Sequence, residues 1–309
     1  MKKLLVTNIG KNELNAKHWN QLKKIFETIV FKKTEDDDLI DNVNDAEAIF
    51  SKFNPVDKSL IQNAPDLKYI GVFATGYGKV NLEEASKRNI VVTNVPGYST
   101  ESVAEFTIGV LLEHLRELNL AKTQAKTGNY SEDGFSASEI KGKKIGIIGL
   151  GQIGTRVAEL FKAFGANVNY WSRNKKYLDF AQYHELGDLM TNSEIISLHI
   201  TLTTETEGII TESLINKVRK GSIIINTSPI ELFDFSALTK RLKKGDLTLI
   251  WDHPDEMSEE NLKRLTSFSN CVTYPPIGYI TDEANEAKKD IFVKNVESFV
   301  QGEKINSVN

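Results

Sequence analysis

The chain has 309 residues, of which 40% are hydrophobic and 26% charged, and a formal net charge of −4. That length is ample for two hydrophobic cores. The mild acidic balance, with Lys and Arg scattered along the chain, argues against nucleic acid as the main partner.

The single cysteine, Cys271, excludes an intrachain disulfide, fits a reducing cytosol and reads as core filler rather than a nucleophile. No apolar run approaches the roughly twenty residues of a membrane span. The opening stretch Met1 to Glu13 is too short in apolar residues for a signal peptide and reads as a first strand. A cytoplasmic protein with no membrane partner and no metal is expected.

Leu4–Thr7, Ile29–Phe31, Ala46–Phe50, Tyr69–Ala74 and Val91–Val95 are short apolar runs separated by amphipathic stretches such as Ala16–Phe26. This alternation predicts a parallel α/β layer, so the first hundred or so residues form a flavodoxin-like domain. Ser102-Val-Ala-Glu105 has capping-box spacing, and the pattern stays helical to about Thr127, which predicts one long helix bridging two domains. Polar Gly128–Ser138 follows, with Tyr130 and Phe135 as anchors.

Lys143 to Arg173 reads KKIGIIGLGQIGTRVAELFKAFGANVNYWSR. An apolar strand turns through Gly149, Gly151 and Gly154 into a helix starting at Gln152 and Ile153, and a second strand, Asn167–Trp171, follows. In that context the glycines have physical roles: a sharp turn at Gly149, close approach of a pyrophosphate at Gly151, and close helix packing at Gly154. An NAD site usually carries an acid about twenty residues further on, for the ribose 2′-hydroxyl. Here no acid occurs between Glu159 and Asp179, and Ser172, Arg173, Lys175 and Lys176 stand instead. A hydroxyl with cations suits a 2′-phosphate, so NADP(H) is favoured over NAD(H); a solvated basic loop is the alternative.

Beyond Trp171 the alternation resumes, with strands at Ile195–Ile200, Ser222–Asn226, Leu247–Trp251 and Cys271–Tyr274. Helices are expected at Glu212–Lys217, Asp234–Lys243, Glu259–Leu265 and Thr281–Val300. These complete a Rossmann doubly wound parallel sheet over 100–284, leaving 1–99 and 285–309 as the substrate domain.

Gly76-Tyr-Gly-Lys-Val-Asn-Leu, Asn89 to Glu105, Gly146 to Gly154, Leu198-His-Ile-Thr-Leu-Thr203 and Lys220 to Ser228 together resemble the D-isomer-specific 2-hydroxyacid dehydrogenases, nearly end to end. The resemblance implies dimerisation through the helix near Glu105. It also implies a substrate carboxylate held by N–H groups around Thr75 and Gly76, Asp252 at the nicotinamide carboxamide, and His199, Ile200, Thr201, Thr227, Ser228 and Pro229 lining the cofactor.

The sequence departs from that family in its chemistry. Where the family carries a carbonyl-clamping Arg this chain has Pro229, where it carries the proton-donating His it has Pro276, and its Glu position is Met257. Shifted alignment offers no rescue, because no Arg lies between Arg219 and Arg241 and no His follows His253. Losing a general acid alone typically costs about 10²–10⁴-fold in rate, and losing a clamp is of similar size.

His253, Glu256, Tyr274 and Tyr279 are substitutes, each with a plainer reading: a solvated loop for His253 and Glu256, packing on prolyl rings for the tyrosines. Two functions follow. One is an NAD(P)-linked oxidoreductase acting on something other than a plain 2-keto acid, such as an iminium. The other is a non-catalytic NAD(P)-binding sensor or partner-binding homologue.

Overall fold

The computed structural model describes residues 1–33, 39–52, 54–252, 254 and 257–309. The chain divides into two compact units, Met1–Tyr98 with Thr281–Asn309, and Ser99–Ile280. The second segment of the first unit starts at Thr281 because its hydroxyl accepts the Ala284 N–H at 3.0 Å and caps the last helix there.

The first unit runs β1 (Lys3–Thr7), α1 (Ala16–Ile25), β2 (Thr28–Lys32), α2 (Leu39–Val43), β3 (Ala48–Ser51), α3 (Lys58–Gln62), β4 (Tyr69–Val72), α4 (Leu82–Lys87) and β5 (Val91–Thr93). All its strands pair in parallel in the order β2-β1-β3-β4-β5, the flavodoxin-like order. Strands β3 and β4 are buried at every residue, as sheets covered on both faces by helices require. The C-terminal helix, Asp282–Val300, lays Phe292 against Phe50 and Phe73, at ring separations of 4.6 and 4.9 Å. Gly71 makes room for it: a Cβ there would stand 3.1 Å from the Phe292 ring.

The second unit runs α5 (Thr100–Leu115), α6 (Leu118–Lys126), β6 (Lys144–Ile148), α7 (Gln152–Ala163), β7 (Asn167–Trp171), β8 (Ala181–Tyr183), α8 (Leu186–Asn192), β9 (Ile195–Leu198), α9 (Glu212–Lys217), β10 (Ser222–Asn226), a 3₁₀ turn Ile230–Leu232, α10 (Phe235–Lys243), β11 (Leu247–Asp252), α11 (Glu259–Thr266) and β12 (Cys271–Tyr274). The C-terminal helix is thus α12. Its seven parallel strands follow the order β12-β11-β10-β9-β6-β7-β8, and the chain reverses direction across the sheet between β6 and β9. Alternation sends Ile145, Ile147, Ile223 and Ile225 to one core and Ile148, Ile196, Ile224 and Leu249 to the other.

Three local expectations are corrected. The long helix breaks at Glu117, which adopts the left-handed conformation (φ 51°), so α5 and α6 are separate. Ser102 lies inside α5, not at its cap, and its hydroxyl bonds elsewhere. Tyr130 is 84% exposed and anchors nothing.

Candidate functional site

Strand β6 ends at Ile148 and Gly149 takes φ 95°, a conformation side chains resist; a Cβ there would also overlap the His199 carbonyl. A Cβ on Gly154 would overlap the Gly149 carbonyl oxygen, so only glycine lets α7 sit this close to the turn. Gly151 differs from both: it is the N-cap of α7, no side chain caps the helix, and no heavy atom lies within 4 Å of the place its Cβ would occupy. The N-terminal N–H groups of Gln152 and Ile153 therefore lie beside an uncrowded glycine, without a side-chain cap, at the positive end of a twelve-residue helix. Such a cradle fits a dinucleotide pyrophosphate.

Beyond β7 the basic segment folds back on the turn. Lys176 Nζ donates to the Leu150 carbonyl at 2.6 Å, between the first two glycines. Arg173 is exposed and pairs with Glu205 at 2.9 Å, and Lys175 lies over the Tyr183 ring at 4.3 Å. Ser172 is buried and its hydroxyl donates inward to the Asn174 carbonyl at 2.6 Å, so its proton is spent within its own turn.

Residues 199–201 and 227–229 sit side by side at the carboxyl ends of β9 and β10. Both His199 ring nitrogens are engaged, by Ser197 Oγ at 2.8 Å and Thr227 Oγ1 at 3.2 Å. Burial pushes its pKa down to about 3, so the imidazole is neutral and structural. The Thr201 carbonyl accepts from the Thr206 hydroxyl at 2.7 Å, which fixes the strand end beyond half-buried Ile200. The Asn226 side chain accepts from the Ser228 N–H at 3.1 Å and donates to the Ser228 carbonyl at 2.8 Å, which fixes the loop delivering Pro229. Pro229 is half-buried (φ −57°) and starts the 3₁₀ turn without any side-chain donor.

Asp252 ends β11 and is 4% exposed. Its carboxylate accepts the Ile277 N–H at 3.3 Å, and a Cβ on Gly278 would come within 2.6 Å of Oδ2. The Ser102 hydroxyl donates to the Gly278 carbonyl at 2.8 Å. Pro275–Gly278 is therefore clamped between Asp252 and α5, with half-buried Pro276 within it.

Met257 packs against the second apolar core. Tyr274 is ruled out as an acid: its hydroxyl donates to Glu113, and burial with that carboxylate holds the phenol well above its ordinary range. Tyr279 is half-buried directly after Gly278. His253, Asp255 and Glu256 lie outside the described residues. Burial pushes the Cys271 thiol up to about 12, so it is inert.

In the first unit, Thr75 and Gly76 are exposed just beyond β4. A relay of amides holds their loop: Asn295 Nδ2 donates to the Asn94 carbonyl at 2.8 Å and Asn94 Nδ2 to the Thr75 carbonyl at 2.7 Å. No heavy atom lies within 4 Å of a Cβ on Gly76 or Gly78. Sequence reasoning passed over Lys288 of α12, which is buried in the same unit.

Residues 108–278 match the profile of the D-isomer specific 2-hydroxyacid dehydrogenase NAD binding domain. A glyoxylate reductase of Thermococcus litoralis is 35% identical, over 86% of this chain and 84% of its own. The structure of an acyclic imino acid reductase (Bsp5), solved with NADPH and D-Arg, superposes with a TM-score of 0.88 at 26% identity and covers 100% of both chains. D-lactate dehydrogenase from Aquifex aeolicus, solved with NAD and lactic acid, gives 0.85 at 27% identity, covering 99% of this chain and 98% of its own. With the glycine cradle, the Asp252 strand end and the doubly wound sheet all in place, the chain belongs to the D-isomer specific 2-hydroxyacid dehydrogenase family of pyridine-nucleotide-binding oxidoreductases.

Proposed function

We propose that this protein is an NADP(H)-linked reductase of small 2-imino acids. The observation that carries the reading is the pairing of an intact nucleotide cradle with prolines at 229 and 276. A 2-keto acid needs a proton at its oxygen as hydride arrives, and neither proline can give one. An iminium comes already protonated: hydride adds to carbon, the C=N π pair becomes the amine lone pair, and solvent supplies the later proton.

A nicotinamide held in this cradle would supply the hydride. Asp252 and the residues it clamps would orient its ring end, and the N–H groups of Gln152 and Ile153 would hold its pyrophosphate. Arg173, Lys175 and Lys176 favour a 2′-phosphate. The full-length likeness to an imino acid reductase solved with NADPH supports both halves of this reading.

We also propose a cytoplasmic homodimer formed through the α5–α6 region near Glu105. Leu118 and Leu120 of α6 are 41% and 51% exposed, which supports it, and sedimentation equilibrium tests it.

The deciding experiment follows oxidation of NADPH and NADH with glyoxylate, pyruvate and hydroxypyruvate, each with and without ammonia or methylamine. Turnover that requires the amine and prefers NADPH is expected. Equal turnover without amine would show that Pro229 and Pro276 do not block keto-acid reduction. Tight NADPH binding with no turnover of any substrate would favour the second reading, a non-catalytic NAD(P)-binding sensor, to which the same prolines also point.

A further inference from the structure

The first unit contains a cation that neither the nucleotide cradle nor the hydride chemistry uses. Lys288 lies on α12 in line with Ala284, Phe292 and Asn295, the buried face of that helix, and is only 6% exposed. Among the described residues no carboxylate lies within ion-pair distance of it. Its Nζ sits 4.3 Å from the centroid of the Phe73 ring and 5.3 Å from that of Tyr98. Cation–π contacts give about 0.5–2 kcal/mol, whereas the effective penalty for removing an ammonium from water is several kcal/mol. The rings alone do not account for a cation here.

The surrounding charges sharpen the point. Lys52, from the loop after β3, and Glu13, from the loop after β1, are the charged groups that act on Lys288, and Tyr98 contributes a phenol. Lys52 and Glu13 are paired with each other, and Glu13 also accepts the Gly10 N–H at 3.1 Å. Glu13 is thus already matched, and Lys288 remains as one uncompensated positive charge. Phe73 directly follows β4, and the exposed residues Thr75 and Gly76 come two and three positions later. All of these groups gather at the carboxyl ends of parallel strands, where open α/β sheets bind ligands.

We propose that Lys288 is a substrate-binding residue whose ammonium receives the carboxylate of a small 2-oxo or 2-imino acid, together with the N–H groups of Thr75 and Gly76. The identity of that acid rests on the function proposed above; the anion site itself does not. Burial first, then Lys52, lowers the Lys288 pKa to about 8 against the opposing pull of Glu13. The charge is therefore present at neutral pH and is lost as pH rises through that value.

Oxamate, a non-reducible 2-oxo carboxylate, is the probe, titrated calorimetrically into the full chain with NADPH present and absent. For the natural protein, affinity should fall between pH 7 and 9.5. Lys288→Met should weaken binding about ten- to hundredfold at pH 7, the share of one charge-assisted hydrogen bond. Lys288→Arg should keep its affinity up to pH 9.5, because guanidinium does not titrate there. A thermal melt of each variant confirms folding, and methionine suits the apolar surroundings.

Unchanged oxamate affinity in Lys288→Met, or a pH-independent affinity in the natural protein, overturns the site. If oxamate binding depends on Lys288 but no imine is reduced, the anion site stands and the reductase reading fails. If imines turn over with unchanged KM in Lys288→Met, the reverse holds.

Discussion

Replacing Gly151 by alanine separates the two services a glycine can perform in the turn after β6. The residue has φ −75° and ψ −163°, ordinary for any side chain, and nothing lies within 4 Å of the new methyl group. Folding should hardly notice it. Alanine gains about 0.4–1 kcal/mol from a stiffer unfolded chain and loses a similar amount as a poorer N-cap. The net falls within about 0.5 kcal/mol, a shift of roughly 1–2 °C in melting midpoint for a unit of this size. Nucleotide binding should suffer badly, because the methyl fills the space over the uncapped N–H groups of Gln152 and Ile153. Losing one charge-assisted hydrogen bond is worth about 1.5–3 kcal/mol, or roughly ten- to hundredfold in Kd. Titration of NADPH fluorescence paired with a thermal melt measures both. Gly154→Ala is the contrast: its Cβ overlaps the Gly149 carbonyl, so it should lose about 1–3 kcal/mol of stability as well as affinity. Gly151→Ala with natural NADPH affinity, or with the same loss of stability as Gly154→Ala, would refute the pyrophosphate assignment.

Arg173→Ala should leave the melting midpoint unchanged, since its exposed pair with Glu205 is worth at most about 1 kcal/mol, while weakening NADPH roughly tenfold and NADH little; equal effects on both cofactors by calorimetry would contradict the 2′-phosphate site. Ser102→Ala strands the buried Gly278 carbonyl and should lower stability by about 1–2 kcal/mol in urea melts, and an unchanged midpoint would show the clamp to be idle. Pro229→Arg combined with Pro276→His should produce measurable reduction of glyoxylate without amine, and the absence of any gain would mean the substrate site has diverged at further positions. Lys288 should also shape stability against pH. Its pKa is about 8 in the folded chain against 10.5 ordinarily, so the unfolded chain binds more protons between those values and stability rises with pH across that window. Lys288→Met should accordingly be more stable than the natural protein at pH 7, by up to about 3 kcal/mol, with the gap closing toward pH 10.5; a gap independent of pH in urea melts would count against the buried charge.

What could be read from the sequence was whatever residue type alone dictates. Gly149 and Gly154 stand where any Cβ would meet backbone, so their identity carries the geometry without knowledge of the rest of the fold. The alternation of Ile145 and Ile147 against Ile148 likewise fixes which core each side chain enters. Illegible were the features set by distant partners or by conformations the residue type does not announce. Ser102 and Gly278 are far apart in sequence, so a hydroxyl at capping-box spacing proves to be a pin on the Pro-Pro turn. Glu117 breaks the long helix in a left-handed conformation that glycine, not glutamate, would advertise. Ser172 has the expected residue type for a phosphate contact, yet its proton is turned inward by Asn174, which only the folded turn reveals.

Lys288 falls between these classes. In Glu286-Ala-Lys-Lys-Asp290 two adjacent lysines look interchangeable, and a charge run on a helix is ordinarily a solvated face. Continuing the four-residue step from Ala284 through Phe292 to Val296 picks out Lys288 and not Lys289, because 284, 288, 292 and 296 share one stripe. Three of those positions are apolar and buried, so the fourth is committed to the interior by geometry even though it carries a charge. An ammonium in that stripe, facing Phe73 and Tyr98 with no carboxylate within ion-pair distance among the described residues, is the observation on which the proposed anion site rests. The break in the apolar stripe of α12 marks where this chain places a positive charge in its interior.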